Sequence, residues 1–151
     1  MQSGTSEIWR AFAPTALSNA TVTATLSQAV VSSITVASFS NVDTSGTNGS
    51  GAIGAIASGS AGAGAPTATL VTTRANAWVF GVGNDFDNAI ARTPGPNQTI
   101  VHQALPSVGD TYWVQRVTNP AAASGTTVTV NDTAPANHRY NLTICEIRSP
   151  L

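Results

Sequence analysis

The chain has 151 residues, only 9% of them charged, with no lysine and a formal net charge of −1. This argues against nucleic acid as a partner, because binding to phosphates needs several Lys or Arg side chains on one face. No apolar run of about 18 residues predicts a membrane-spanning helix, and we expect no membrane insertion. The apolar fraction of 42% suffices for one core, so we expect a single domain over residues 1–151.

The first part of the chain predicts three strands, at residues 7–13, 20–26 and 30–39. The second is the clearest, because Val22, Ala24 and Leu26 alternate with threonines, which is typical of a strand buried on one face. The six residues before the first strand carry no hydrophobic signal region. We expect residues 1–6 to be disordered or vector-derived.

Residues 41–66 consist mainly of Gly, Ser, Ala, Thr and Asn, with Ile53 and Ile56 as the large apolar residues. Glycine raises the entropy that is lost on ordering the backbone. We therefore expect a long surface loop here. A stacked, silk-like sheet segment at residues 59–65 is the alternative.

The most apolar strand candidate lies at residues 77–83, where Trp78, Val79 and Phe80 favour a strand covered on both faces. It leads directly into a polar stretch, Asn84 to Asn88. Residues 92–97 form a Pro/Gly turn cluster. The other predicted strands are residues 67–73, 99–105, 110–117, 126–131 and 140–147.

Nine short strands punctuated by Gly and Pro predict an all-β fold. We expect a two-sheet antiparallel β-sandwich of jelly-roll-like form. An immunoglobulin-like sandwich is the alternative, although its Cys–Trp–Cys pattern is absent. The predicted core comprises Val22, Leu26, Ile34, Val36, Leu70, Trp78, Phe80, Ile100, Val114, Val128, Val130, Leu142 and Ile144.

Four stretches carry a resemblance to a known class of module: residues 7–14, 33–43, 70–80 and 140–147. In order they give a strand, an apolar strand ending in Asp, a buried strand and a last strand. This pattern resembles a jelly-roll-like β-sandwich module of large secreted bacterial surface proteins, to which no activity is attached. The resemblance implies that the domain lacks its first strands, because such modules begin with an extra strand and a hairpin before the position matched by Glu7.

A sandwich that lacks a strand exposes unpaired backbone groups and an apolar groove. Such a groove can be completed by a strand from another chain. We therefore expect the partners to be other copies of this chain or a donor strand from a neighbouring module. The alternative is that nine strands suffice.

The polar stretch after residue 83 is a candidate calcium site, because Asn84, Asp85 and Asp87 offer the hard oxygen ligands that calcium prefers. The Gly and the distal Glu of an EF-hand loop are absent. The alternative is a solvated turn capped by its own Asx side chains. Apart from this possible structural calcium, no cofactor is expected.

A carbohydrate site is the other candidate, with Trp9, Tyr112 and Trp113 as the aromatic residues. Because Tyr112 and Trp113 are adjacent in a predicted strand, one of them should face outwards. No nucleophile motif or paired-histidine metal motif is present, and no catalytic residue is assigned. A glycosidase pair, Asp85 with Asp110 or Glu146, is conceivable, but no spacing selects it.

These observations predict a non-enzymatic, extracellular or cell-surface module with a structural or adhesive role, which assembles with other copies or a partner strand. A carbohydrate-binding module that recognises polysaccharide is the first alternative, and a glycan-acting enzyme is the second. Cys145, the only cysteine, is expected to be a buried thiol that acts as a small apolar residue.

Overall fold

The computed structural model describes residues 5–151, and eight strands of this chain form two antiparallel sheets. The five-stranded sheet has the order β1-β8-β3-β6-β5, and the three-stranded sheet has the order β2-β7-β4. The strands are β1 Ile53–Gly64, β2 Thr67–Val71, β3 Trp78–Asp85, β4 Thr93–Pro94, β5 Gln98–Ala104, β6 Thr111–Val117, β7 Thr127–Ala134 and β8 His138–Ile147. The predicted two-sheet antiparallel sandwich is confirmed.

The strand predicted to be the most buried is the central strand of the larger sheet. β3 pairs with β6 on one side and with β8 on the other. Its inner face carries Val79, Gly81 and Gly83, and Asp85 ends the inward series. Because every backbone group of a central strand can pair, β3 holds the sheet together.

The glycines of β3 allow the two sheets to approach closely. A Cβ atom at Gly83 would lie 2.2 Å from the ring of Trp113, and one at Gly81 would lie 3.2 Å from Val130 of the other sheet. The Trp113 indole therefore fills the space that a side chain at residue 83 would occupy. The buried core contains Ala68, Leu70, Val79, Trp113, Val128, Val130, Tyr140, Leu142 and Ile144.

The sequence predicts two of the three strands of the smaller sheet, β2 and β7, whereas β4 lies within the predicted turn at residues 92–97. On β7, Val128 and Val130 point inwards, and the alternating Thr127 and Thr129 point outwards. Thr69 of β2 and Thr129 of β7 are cross-strand partners whose hydroxyls lie 2.9 Å apart. The expected pattern of outward threonines and inward aliphatics is confirmed for this sheet.

The prediction for residues 41–66 is wrong over most of its length. Residues Thr47–Ala52 form a 3₁₀ helix, and Ile53–Gly64 form β1, an edge strand paired with β8. Small side chains are required here, because a Cβ at Gly59 would lie 2.0 Å from the carbonyl oxygen of Thr67. The low β-propensity of this segment is overridden by its position between β8 and β2.

The three strands predicted before residue 40 are also absent. Residues 5–46 form no helix or strand, and we call residues 5–42 the N-terminal arm. Val22, Leu26, Ile34 and Val36 are all exposed and belong to no core within this chain. The prediction for residues 1–6 lies largely outside the described residues, which begin at Thr5.

Candidate assembly surface

The N-terminal arm crosses the outer face of the five-stranded sheet twice. The first crossing starts where Asn84 donates a side-chain hydrogen bond to the carbonyl of Thr5 at 2.7 Å. Thr143 of β8 donates a hydrogen bond to the carbonyl of Ser6 at 2.8 Å. The crossing ends where Arg10 donates to the carbonyl of Asn48, beyond the start of β1.

The second crossing starts at the same end of the sheet and runs in the same direction. Tyr112, which is the cross-strand partner of Asn84, donates its hydroxyl to the carbonyl of Val31 at 3.1 Å. Further along, the Phe39 ring packs edge-on against Phe80, with centroids 5.0 Å apart. The crossing ends where the backbone N–H of Asp43 donates to Arg148 at 3.1 Å.

Side chains make nearly all of these contacts. Within the described residues 5–151, no backbone–backbone hydrogen bond involves residues 5–42. Residues 13–30, which connect the two crossings, form no hydrogen bond, ion pair or ring contact with the described part of the chain. The arm therefore lies on the domain without joining its sheets.

The arm carries most of the exposed large apolar side chains of the molecule. They are Ile8, Trp9, Phe12, Leu17, Val22, Leu26, Val30, Val31, Ile34, Val36 and Phe39, and on average about half of each is exposed. The charged residues of the arm are Glu7 and Arg10. Many exposed large apolar side chains on one segment with so little charge are typical of an interaction site.

The outer face of the sheet beneath the arm is also apolar. Trp78, Phe80, Val82 and Val114 are half-buried there. The guanidinium of Arg116 lies 4.7 Å from the centre of the Trp78 ring. The prediction that Trp78, Phe80 and Val114 belong to the core between the sheets is wrong, because odd-numbered residues of β3 and β6 point inwards and these three point outwards.

The aromatic residues predicted to bind sugar do not form one surface. Trp113 is 1% exposed and packs in the core, so its assignment to a ligand site is wrong. Tyr112 does face outwards, as one of the pair was expected to do, and its single hydroxyl proton, which also reaches the Val31 carbonyl, is shared with Asp110 at 2.7 Å. Burial and this hydrogen bond raise the pKa of Tyr112. Trp9 is 85% exposed on the arm, with its indole N–H held by Glu7 at 2.9 Å.

The residues predicted to bind calcium point in three directions. Asn84 points to the outer face and contacts Thr5. Asp85 points into the sandwich, and Asp87 lies at the surface, where it accepts hydrogen bonds from Arg139 at 2.6 and 2.7 Å. These hydrogen bonds lower the pKa of Asp87. Among residues 5–151, no group of three or more His, Cys, Asp or Glu could hold a metal ion, and the calcium site stays a prediction without geometric support.

Asp85 belongs to a buried ionic cluster that the sequence reasoning missed. It accepts hydrogen bonds from Arg92 and from the backbone N–H of Asp87, and His138 Nδ1 lies 3.0 Å from it. The Arg92 guanidinium also stacks over Trp113, 4.5 Å from the ring centre. Burial lowers the pKa of Arg92, and the attraction of Asp85 and Asp132 offsets part of this effect. The cluster closes one end of the core.

Asp132 points inwards from β7 and is 1% exposed. Its carboxylate oxygens have no hydrogen-bond partner among the described residues, and neither do Nε and Nη1 of Arg92. Burial therefore raises the pKa of Asp132 to about 7, although Arg92 attracts the ionised form. A signal for this cluster exists in the sequence, because alternation from Val128 and Val130 places residue 132 inside.

The buried carboxylate of Glu146 binds backbone groups. Glu146 accepts hydrogen bonds from the N–H groups of Ala55, Thr73 and Arg74 at 2.8–3.0 Å and from the Thr73 hydroxyl at 2.8 Å. Burial opposes its ionisation, but these hydrogen bonds prevail and lower the pKa of Glu146. Glu146 therefore ties β8 to β1 and to the turn after β2.

The distance between the carboxylates of Asp85 and Glu146 tests one pair that a glycan-acting enzyme could use. Glu146 is paired with Val79, and Asp85 lies six residues further along β3, which is roughly 20 Å. Carboxylate pairs in glycosidases are about 5–9.5 Å apart. Asp85 and Glu146 therefore do not form such a pair.

Cys145 lies on β8 and is buried, as predicted. Burial raises the pKa of its thiol to about 11. The thiol is therefore protonated at neutral pH. A protonated and buried thiol is a poor nucleophile.

Comparisons with known proteins add one similar structure. No family model matches the chain, and no curated relative matches it. A solved structure of the tripod from the baseplate of bacteriophage Tuc2009 is similar over 85% of this chain and 84% of that chain, with 12% sequence identity and a TM-score of 0.39. No helix within residues 5–151 is long and apolar enough to cross a membrane.

Proposed function

We propose that this chain is a non-enzymatic, extracellular or cell-surface module that assembles with other copies of itself through its N-terminal arm. The observation that carries the proposal is the arm itself. Many of its side chains are apolar and exposed, and its backbone forms no backbone–backbone hydrogen bond with the described chain. An isolated molecule would gain little from holding such a segment against its surface, since most of its backbone groups lack a protein partner and must be solvated.

The number of exposed apolar side chains on the arm supports a role in self-assembly. Complete burial of a Val, Leu, Ile or Phe side chain is worth about 1.5–3 kcal/mol. The large apolar side chains of the arm are about half exposed, so their burial by a neighbour would contribute roughly 10 kcal/mol. Association costs about 4–15 kcal/mol, so the assembly is expected to depend on protein concentration.

The near absence of charge on the arm favours packing of like against like. Identical copies carry identical charges, and a highly charged arm would be repelled by its own kind. With only Glu7 and Arg10 as charged residues, the arm avoids this repulsion and the cost of desolvating ions. A jelly-roll-like surface module, as the sequence resemblance implies, would fit this role.

Light scattering after size exclusion, over a range of protein concentrations, tests the proposal. We expect the molar mass to rise above that of one chain with concentration. The double variant Ile34→Asp/Val36→Asp should remain monomeric, because both side chains are exposed on the arm and burial would desolvate two carboxylates. Val108→Asp, at an exposed apolar position in the turn between β5 and β6, is the matched control and should assemble normally. A wild-type chain that stays monomeric throughout would refute the proposal.

Carbohydrate binding remains the second candidate because of Trp9. Its ring is exposed beside an open depression of about 590 Å³ that is lined by Ile8, Arg10, Phe12 and Asn48. Aromatic faces next to polar groups suit sugar rings. Trp9→Ala should abolish any change in intrinsic fluorescence on titration with neutral polysaccharides. A wild-type spectrum that does not change in that titration would count against this candidate.

A further inference from the structure

We propose that residues 20–26 form a donor strand that pairs with the free edge of β1 in a second copy of the chain. This inference rests on the proposed self-assembly and names its two contacting elements. The donor lies in the part of the arm between the two crossings, and the acceptor is one edge of the five-stranded sheet. Addition of an extended segment to a sheet edge is a common mode of recognition.

The donor segment has the pattern of a strand and no partner in its own chain. Its apolar side chains Val22, Ala24 and Leu26 alternate with Thr21, Thr23 and Thr25. All seven residues are exposed, and none makes a hydrogen bond with the rest of the described chain. Seven extended residues reach about 23 Å, which is more than half the length of β1. Alternation of this quality predicts a strand, and residues 5–151 supply no partner for it, so we place its partner in a second copy.

The acceptor edge lacks the features that protect edge strands from pairing. β1 has twelve residues, and none of them is charged or proline. Edge strands that stay unpaired usually carry lysine, proline or a bulge in their centre. The irregularities of β1 lie near its two ends, between Ile53 and Ile56 and between Ala61 and Gly64, and its centre is regular.

The opposite edge of the same sheet is less suitable. β5 has seven residues and a register shift between Ile100 and His102, close to its centre. A bulge at this position interrupts the row of backbone groups that a new strand would use. His102 is also in contact with Thr35 of the arm, at 3.2 Å. The arm of the same chain therefore contacts β5 directly, whereas at the centre of β1 it contributes Thr5 and Ser6 to a depression shared with Ser58 and Ser60 on the outer face.

Side-chain polarity sets which face of the donor points inwards. On β1, Ala57, Gly59 and Ala61 face the interior, whereas Ser58 and Ser60 face out. We place the aliphatic residues of the donor beside the alanines and its threonines beside the serines. The pairing then extends the core by one strand and keeps hydroxyls on the outer face.

Disulfide trapping between two different single-cysteine chains tests the pairing. In a Cys145→Ala background, one chain carries Thr23→Cys and the other carries Ser58→Cys, with Thr21→Cys and Thr25→Cys to cover neighbouring registers. We expect the mixed chains to give a reducible heterodimer on oxidation. Ser107→Cys, in the exposed turn after β5, is the control and should give no product with any donor cysteine. A product with Ser107→Cys as strong as that with Ser58→Cys would overturn the inference.

Proline substitution separates this inference from self-assembly in general. Ala24→Pro removes a backbone donor in the middle of the segment, whereas Ala29→Pro changes the same part of the arm outside it. We expect Ala24→Pro to weaken self-association at least tenfold and Ala29→Pro to leave it nearly unchanged, with the same melting temperature for both monomers. If Ile34→Asp/Val36→Asp abolishes assembly and Ala24→Pro does not weaken it, the donor strand is wrong and assembly through the arm stands. A wild-type chain that never associates would remove both.

Discussion

The Glu146 carboxylate accepts a hydrogen bond from the backbone N–H of Ala55 at 2.8 Å, at the bulge where β1 and β8 lose their regular register. The same carboxylate accepts the N–H groups of Thr73 and Arg74. A single charged side chain thus replaces the ladder hydrogen bonds that an edge strand loses at a bulge. The junction of β8, β1 and the turn after β2 depends on this one group.

Glu146→Gln should therefore destabilise the fold. The amide keeps the shape but replaces one acceptor oxygen with an NH₂ group, which would face N–H donors. Hydrogen bonds to a charged group contribute about 1.5–3 kcal/mol, so we expect a loss of roughly 3 kcal/mol in urea unfolding. Glu7→Gln, at the other glutamate and on the exposed arm, is the control and should change the stability by less than about 0.5 kcal/mol. Equal effects of the two substitutions would contradict this account.

Gly83→Ala should destabilise the fold because the Trp113 ring occupies the position of the new Cβ. Overpacking of a core typically costs about 1–3 kcal/mol, and a ring wedged between two sheets can shift only a little. Gly62→Ala is the control, because no atom lies within 4 Å of a Cβ at that position. Thermal unfolding should show a lower melting temperature for Gly83→Ala only. An unchanged melting temperature for that variant would mean that Trp113 is free to move.

The sequence predicts a strand and its buried face correctly where the neighbouring strands belong to the same chain and the side chains alternate clearly. Alternation at residues 126–131 predicts both the existence of β7 and its inward face, because β7 lies between β2 and β4 with its valines against β3 and β8. The same alternation at residues 20–26 predicts a strand that forms no ladder in the described chain. Alternation shows which face of a strand is apolar. It does not show whether the neighbouring strand belongs to the same chain or to another one.

At β1 the error is the opposite one, because the composition predicts a loop where the structure has a strand. Its Gly and Ala residues lack the branched and aromatic side chains that signal a strand. Their small size is a consequence of crowding by β2, which is visible only once the sheets are stacked. The ionic cluster was missed for a related reason, because Asp85, Arg92 and Asp132 come from separate segments. The inward direction of Asp132 was nevertheless readable, because it continues the alternation of Val128 and Val130.

The two ion pairs at one end of the sandwich should differ in strength because one is buried and one is not. Arg92 is fully enclosed with Asp85, whereas the side chain of Arg139 is about half exposed beside Asp87. Removal of one partner of a buried pair costs about 3–5 kcal/mol, since the other charge stays behind without compensation. A surface pair contributes about 0–1 kcal/mol.

We therefore expect Arg92→Met to lower the free energy of unfolding by several kcal/mol and Arg139→Met to change it by about 1 kcal/mol or less. Both substitutions replace an arginine with an unbranched apolar side chain, so the comparison isolates burial. Asp85→Asn in the Arg92→Met background should restore part of the loss, because it removes the stranded carboxylate. If the double variant is no more stable than Arg92→Met alone, the uncompensated charge of Asp85 is not the cause of the loss.

Asp132 should make stability fall as the pH rises, which is unusual for a carboxylate. Its pKa is raised from 3.8 to about 7 by burial, so between these two values the folded state binds more protons than the unfolded state does. Stability decreases with pH wherever that is so. The contribution is complete below about pH 3.8 and is lost as the pH rises through 7, with a magnitude on the order of 4 kcal/mol.

Asp132→Asn removes this titration and isolates its effect. Urea unfolding of both chains at pH 4.5, 6 and 7.5 should show the variant gaining stability relative to the wild type as the pH rises, because a neutral amide replaces a buried charge. Asp87→Asn is the control of opposite sign. The pKa of Asp87 is lowered in the fold, so its contribution is present above its unfolded pKa and is lost as the pH falls. That variant should therefore lose stability relative to the wild type at pH 7.5 and approach it at low pH. A constant difference between the wild type and Asp132→Asn at all three pH values would show that Asp132 titrates alike in the folded and unfolded chains.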